Sequence, residues 1–151
     1  MNRVITQRNE YRLSVLDRKS LSGDPLKQFS NWYTAAEKKK IHTPNAAVLS
    51  TASKSGKPSA RVILIKAFNQ KGFEFFTHYR SDKAGDLAVN PKAELVFYWP
   101  AMERQVRVFG AVKKMTRSES LDYFLSRPRG AQIAAWTSAQ SKPIDSRQKL
   151  L

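Results

Sequence analysis

The residues of this chain that could do chemistry are cations and hydroxyls. Its residue order contains no Ser-His-Asp arrangement, HExxH motif, glycine-rich phosphate loop or paired-carboxylate pattern, so hydrolase and nucleoside-triphosphate chemistry have little support. Cysteine is absent, which excludes disulfide staples, thiolate metal sites and a cysteine nucleophile, and is compatible with a reducing cytosol. His42 and His78 stand far apart in the chain, and no metal site is expected from them. What remains is phosphate recognition by side chains, because a dianion without a glycine-rich loop needs charge-assisted donors. Arg61, Lys66, Thr77, Ser81, Lys83, Arg127 and Ser141 are the candidates. Arg61 and Lys66 bracket Val62-Ile63-Leu64-Ile65, which reads as a buried strand, and a charge at the end of such a strand calls for a partner or a ligand.

The elements that must position these groups follow from punctuation and periodicity. Residues 1–22 are polar and weakly periodic and read as an arm with one short helix. Asp24-Pro25 starts a helix of about four turns, in which Leu26, Phe29, Trp32, Tyr33 and Ala36 share a face up to Lys38-Lys39-Lys40. Thr43-Pro44-Asn45 breaks it. Strands are expected at 46–52, 59–68 and 73–77, joined by turns at 53–58 and 69–72 as two successive hairpins. A short helix over 81–89, a strongly β-prone strand at 93–99 stopped by Pro100, and an alternating strand at 104–112 follow. Five strands in about seventy residues suggest a small barrel. Ser118 reads as the N-cap of a helix to Ser126 with Leu121, Phe124 and Leu125 on one face, and Pro128 opens another through Trp136.

Several candidates also have plain structural readings. Tyr123 could be a packing aromatic beside Leu121, Phe124 and Leu125, Gln105 could satisfy a barrel strand, and Arg127 could be a cap or a surface ion pair. Lys83 fits an ordinary surface helix, and Trp136 reads as packing.

Composition bounds the whole. The chain has 151 residues with 27 Lys+Arg against 12 Asp+Glu, a net charge of +15, and is 41% hydrophobic and 11% aromatic. This suits one folded, basic domain rather than a disordered tail. No stretch resembles a membrane span, and the first twenty residues carry Arg3, Arg8, Asp17 and Arg18 where a signal peptide needs an apolar core; a soluble cytoplasmic protein is expected. The excess charge suits polyanions or small phosphorylated molecules. Between Lys38 and Lys71 lie eight basic residues and no acidic one, yet only Lys38 to Lys40 form a run, and that run reads as a solvated helix end. No aromatic interleaves with it, so nucleic acid is the least supported partner.

The order of motifs carries more. Arg61-Val62-Ile63-Leu64-Ile65-Lys66, Phe76-Thr77, Ser81-Asp82-Lys83-Ala84, Glu103-Arg104-Gln105-Val106, Tyr123-Phe124-x-Ser126-Arg127-Pro128, Gln132-Ile133-x-Ala135-Trp136 and Ser138-x-Gln140-Ser141, preceded by Arg8-x-x-Tyr11 and Asp24-Pro25-Leu26, closely resemble the pyridoxine/pyridoxamine 5′-phosphate oxidase family over nearly the whole chain. The resemblance implies a mainly β fold with flanking helices (α+β), the FMN-binding split β-barrel. The arm would span 1–22 and the barrel domain 23–151, working as a homodimer with FMN at the interface. The implied activity is oxidation of pyridoxine or pyridoxamine 5′-phosphate to pyridoxal 5′-phosphate with oxygen as electron acceptor. The flavin carries the chemistry, so no catalytic side chain is assigned. The family's FMN contacts fall on Arg61, Val62, Ile63, Leu64, Ile65, Lys66, Phe76, Thr77, Lys83, Gln105, Gln140 and Ser141. Its substrate contacts fall on Lys66, Tyr123 and Arg127, with Arg8 and Tyr11 on the closing arm.

The chain departs from the family pattern at four places. Asp82 stands where the family usually has Arg, which sets an anion beside an expected phosphate. Ala131 replaces a common serine, and Phe76 a common tyrosine. The resemblance runs to Ile144-x-Ser146-Arg147-x-x-Leu150, whereas the family continues through a further helix and final strands that add flavin and substrate contacts. A catalytically impaired or non-catalytic FMN- or pyridoxal-phosphate-binding protein on the same barrel is the alternative function.

Overall fold

The structure is a computed structural model that describes residues 10–13, 15–137, 139–144, 146 and 148. The chain forms two compact units, Met1–Pro44 with Tyr98–Val106, and Asn45–Phe97 with Arg107–Leu151.

In the first unit, helix α1 spans Pro25–Lys38. It starts there because the Asp24 side chain accepts from the backbone N–H groups of Leu26 and Lys27 while Pro25 needs no N–H partner. Phe29 and Ala36 are its buried positions. The Phe29 ring lies 6.0 Å from Tyr33 and 5.9 Å from Trp99, whose indole N–H donates to the Pro44 carbonyl at 3.0 Å. Lys38, Lys39 and Lys40 are exposed at the helix end. A 3-10 turn at Pro100–Met102 ends on Glu103 in the left-handed conformation (φ 52°). The Glu103 carboxylate accepts the Leu13 N–H at 2.9 Å, which ties down the arm at that point, and Arg104 stacks on the Trp32 ring at 4.8 Å. The short helix expected in the arm is a 3-10 turn, Arg18–Ser20.

The second unit is built on strands. These are β1 (Ala46–Ala52), β2 (Pro58–Leu64), β3 (Ala67–Asn69), β4 (Gly72–Glu74), β5 (Lys92–Trp99) and β6 (Arg104–Ala111), the ends of β5 and β6 belonging to the first unit. The sheet order is β2-β1-β5-β6, and β3-β4 form a separate hairpin. Helices α2 (Asp82–Val89), α3 (Arg117–Ser126) and α4 (Arg129–Thr137) complete it. The β1–β2 turn is closed by Gly56 N–H to Ser53 O at 3.0 Å, with Gly56 at φ 81°, where a side chain would be strained. Along β1 every second residue is buried, including Ala47, Leu49 and Thr51, the period-two pattern of a sheet face turned to a core.

Five sequence expectations need correction. The strand expected at 59–68 is two strands, because the backbone changes partners at its middle: Ile65 N–H donates to Asn45 O at 2.9 Å, and Lys66 N–H to Glu74 O at 2.8 Å. The next strand ends at Glu74 rather than reaching Thr77. Helix α3 begins after Thr116, not Ser118, since Thr116 and Glu119 form a reciprocal capping box that Ser118 cannot make. The apolar run 62–65 is also not buried throughout: Val62 is 68% and Leu64 40% exposed, while Ile65 is 4% exposed. Trp136, read as packing, is 82% exposed.

Candidate functional site

Strand register places Arg61. It sits opposite Leu49 in the antiparallel β1–β2 pair, and residues paired across a sheet share a face. Arg61 therefore lies on the face of β1 that carries Leu49 and Thr51. Its Nη1 donates to the Leu49 carbonyl at 3.2 Å and to the Thr51 hydroxyl at 2.8 Å. Thr51, 4% exposed, donates in turn to a carboxylate oxygen of Asp86 on α2 at 2.8 Å.

Helix α2 places the second cation. Its N-cap Ser81 is buried, with a hydroxyl 3.5 Å from that of Thr77. Lys83 is only 8% exposed, against its reading as a surface lysine. Its Nζ donates to Gln140 Oε1 at 2.8 Å, and the Thr77 hydroxyl donates to the same oxygen at 3.2 Å. Burial pushes the Lys83 ammonium below its ordinary range, the nearby Arg61 charge adds to the fall, and Asp82 offsets part of it. Asp82 itself is exposed. No carboxylate among the described residues lies within ion-pair distance of Arg61 or Lys83. Two partly dried cations thus repel each other with no direct ion pair among the described residues, and two donors converge on one acceptor oxygen. Such an arrangement favours an anion with several oxygens.

A second group forms where α3 meets the segment after β4. The Tyr123 and Phe76 rings stack face to face, centroids 3.5 Å apart and planes within 9°, so Tyr123 packs against Phe76, while Leu121 and Leu125 are 51% and 61% exposed. Arg127 is the C-cap of α3, half-buried, with its N–H on Phe124 O at 3.3 Å. Lys66 is exposed, and no hydrogen bond among the described residues joins Lys66, Tyr123 and Arg127.

The remaining expected contacts are placed as follows. Val62, Ile63 and Leu64 lie on β2, and Ile65 at the switch between sheets. Gln105 is exposed on β6, within the first unit. Ser141 follows Gln140 in a left-handed turn (φ 69°) and is exposed. Tyr11 is 78% exposed, and Arg8 lies outside the described residues. Thr51 and Asp86 were not identified from sequence. The available signal was slight: Thr51 is the polar member of a buried alternating series, and Asp86 falls one helical turn after Lys83.

Comparison with known proteins gives this geometry a setting. A family model described as pyridoxamine 5′-phosphate oxidase matches residues 33–151. The chain is 45% identical over 150 residues to a pyridoxine/pyridoxamine 5′-phosphate oxidase of Salinibacter ruber, covering 99% of this chain and 70% of that protein. It is 50% identical over 144 residues to one of Teredinibacter turnerae, covering 95% and 68%. Among solved structures it is similar to PhzG from Burkholderia lata 383 in complex with tetrahydrophenazine-1-carboxylic acid, with TM-score 0.85 and 25% identity over 90% of this chain and 68% of that one. A pyridoxamine 5′-phosphate oxidase-related, FMN-binding protein of Nostoc punctiforme, at TM-score 0.68 and 19% identity over 86% and 72%, shares the fold. The mainly β fold with flanking helices is that of the split-barrel proteins, and this chain belongs to the pyridoxamine 5′-phosphate oxidase family.

Proposed function

We propose that the chain binds FMN and oxidises pyridoxine 5′-phosphate or pyridoxamine 5′-phosphate to pyridoxal 5′-phosphate, with oxygen as electron acceptor. The observation that carries this reading is the buried Lys83 beside Arg61, with no carboxylate among the described residues within ion-pair distance of either. The donors fit an FMN phosphate: Arg61 and Lys83 supply charge, Thr77 and Ser81 supply hydroxyls, and the oxygen of Gln140 marks a point where Lys83 and Thr77 already converge. Bound FMN supplies the hydride acceptor and passes the electrons to oxygen.

The chain's own residues bind and orient. Lys66, Tyr123 and Arg127 would take the substrate phosphate, with Tyr123 held upright by Phe76. Gln105, Gln140 and Ser141 are neutral hydrogen-bonding groups suited to the ring and ribityl chain. Arg8 and Tyr11 on the arm would cover bound substrate and exclude water. The reading includes a homodimer with FMN at its interface, supported by the large apolar side chains that the second unit leaves uncovered: Val62 at 68%, Phe109 at 72% and Trp136 at 82% exposed.

Purified chain supplied with FMN should turn yellow and release hydrogen peroxide when given either B6 phosphate. Protein that stays colourless after reconstitution overturns the proposal. Flavin binding without peroxide from either substrate selects the non-catalytic binding protein instead.

A further inference from the structure

We infer that Thr51 and Asp86 are positioning residues that aim Arg61 at the cofactor phosphate; this rests on the FMN reading above and deepens it. The inference starts from hydrogen-bond polarity. A carboxylate only accepts, so in the 2.8 Å contact between Thr51 Oγ1 and Asp86 Oδ2 the proton belongs to threonine. With that proton committed, the Thr51 oxygen has only lone pairs to offer, and it takes the Arg61 Nη1 proton at 2.8 Å. A guanidinium never accepts. The chain Arg61→Thr51→Asp86 can therefore run in one direction only, and each link polarises the next.

Position adds to polarity. Thr51 is 4% exposed, so water does not compete for the relay. Nη1 carries two N–H groups, and the second reaches the Leu49 carbonyl at 3.2 Å, so this nitrogen is fully engaged. The Nη2 and Nε donors make up the rest of the planar fork, whose geometry matches two oxygens of a phosphate. Fixing one corner of a planar group fixes its plane, and the rotamer freedom that Arg61 would otherwise lose on binding is already given up in the fold. Asp86 lies one turn along α2 from Lys83, so the helix that presents the second cation also holds the first. Neither Thr51 nor Asp86 needs to touch the ligand.

The test separates positioning from general support by comparing FMN with riboflavin, which lacks only the phosphate. Full-length chain, Thr51→Val, Asp86→Ala and Thr51→Ser are titrated with both flavins by fluorescence quenching, and each variant's fold is checked by thermal melting. Thr51→Val and Asp86→Ala should lower the preference for FMN over riboflavin by about tenfold, the scale of one hydrogen bond to a charged group, while riboflavin affinity holds. Thr51→Ser, which keeps the hydroxyl, should keep the preference. If Thr51→Val does not fold, Asp86→Ala makes the same measurement from the other end of the relay. An unchanged preference in the folded variants, or equal loss of both flavins, overturns the inference and leaves the FMN reading standing. If the unaltered chain shows no preference for FMN over riboflavin, the phosphate reading falls and the relay's role falls with it.

Discussion

Lys83 carries the most information of any single residue because its burial works against its charge. Its ammonium is held below the ordinary value of 10.5 by burial first and by Arg61 second, so the fold bears a cost that an anion would relieve. For a lysine with a lowered value, the cost is present at neutral pH and disappears as pH rises through the window between the lowered value and 10.5. In the ligand-free chain Lys83→Met should therefore melt no lower than the unaltered chain at neutral pH, with any advantage fading in that alkaline window. Its preference for FMN over riboflavin should nevertheless fall by about tenfold or more. Bound phosphate favours the charged lysine, so FMN affinity should decline as pH rises through the same window, and Lys83→Arg should delay the decline. Flavin titrations against pH, together with melting curves, check both effects; a destabilised Lys83→Met with unaltered flavin preference would make Lys83 a structural residue. Its type and place in the motif order were legible in the sequence. Its burial was not, because it depends on neighbours distant in sequence, and even the hydrogen-bond partner of its ammonium, Gln140, lies 57 residues away.

At the scale of elements, caps decide where helices begin. The Thr116 hydroxyl accepts the Glu119 N–H at 3.2 Å, and the Glu119 carboxylate accepts the Thr116 N–H at 2.8 Å. The Thr116 hydroxyl also donates to the Glu119 carboxylate at 2.7 Å, and this bond first, with that from the Thr116 backbone N–H second, holds the Glu119 carboxyl below its ordinary 4.5. Thr116→Ala should cost about 1 kcal/mol at neutral pH, which corresponds to about 2–4 °C in melting temperature for a chain of this size. The sign with pH follows from the lowered carboxyl: its contribution is complete above 4.5 and is lost as pH falls through the lowered value. The gap between variant and unaltered chain should thus narrow in acid. Melting curves at neutral and acid pH read this directly, and Ser118→Ala, the cap expected from sequence, should change little. The start of α1 was legible because Asp24-Pro25 is a local signal. The division of 59–68 into β2 and β3 was not, because it depends on Asn45 and Glu74 taking the backbone N–H groups of Ile65 and Lys66.

For the molecule as a whole, the exposed outer face of β2 is the feature to explain. Val62 and Leu64, at 68% and 40% exposed, alternate with the half-buried Arg61 and Ile63, so the strand presents apolar side chains outward while its inner face carries the proposed phosphate contact. If that outer face joins two copies, Val62→Asp should convert a dimer to a monomer and weaken FMN binding together with it. Sedimentation velocity on both proteins, with and without flavin, checks this; a monomeric unaltered chain that binds FMN fully would remove the dimer from the proposal. Among the described residues no helix is long and apolar enough to cross a membrane.

The sequence by itself determined the order of the elements and most of their boundaries, and the order of its motifs pointed to the family. Periodicity, caps and turn residues act within a few positions of one another, and cations with hydroxyls but no nucleophilic set point to phosphate recognition. Tertiary structure alone decided which of those cations are buried and what directs them. The β1–β2 register sets Arg61 opposite Leu49 and within reach of Thr51, and the packing of α2 on β1 brings Asp86 to the same hydroxyl. These contacts join residues 10 to 35 positions apart. Polarity and desolvation at such a site depend on neighbours that no local pattern encodes.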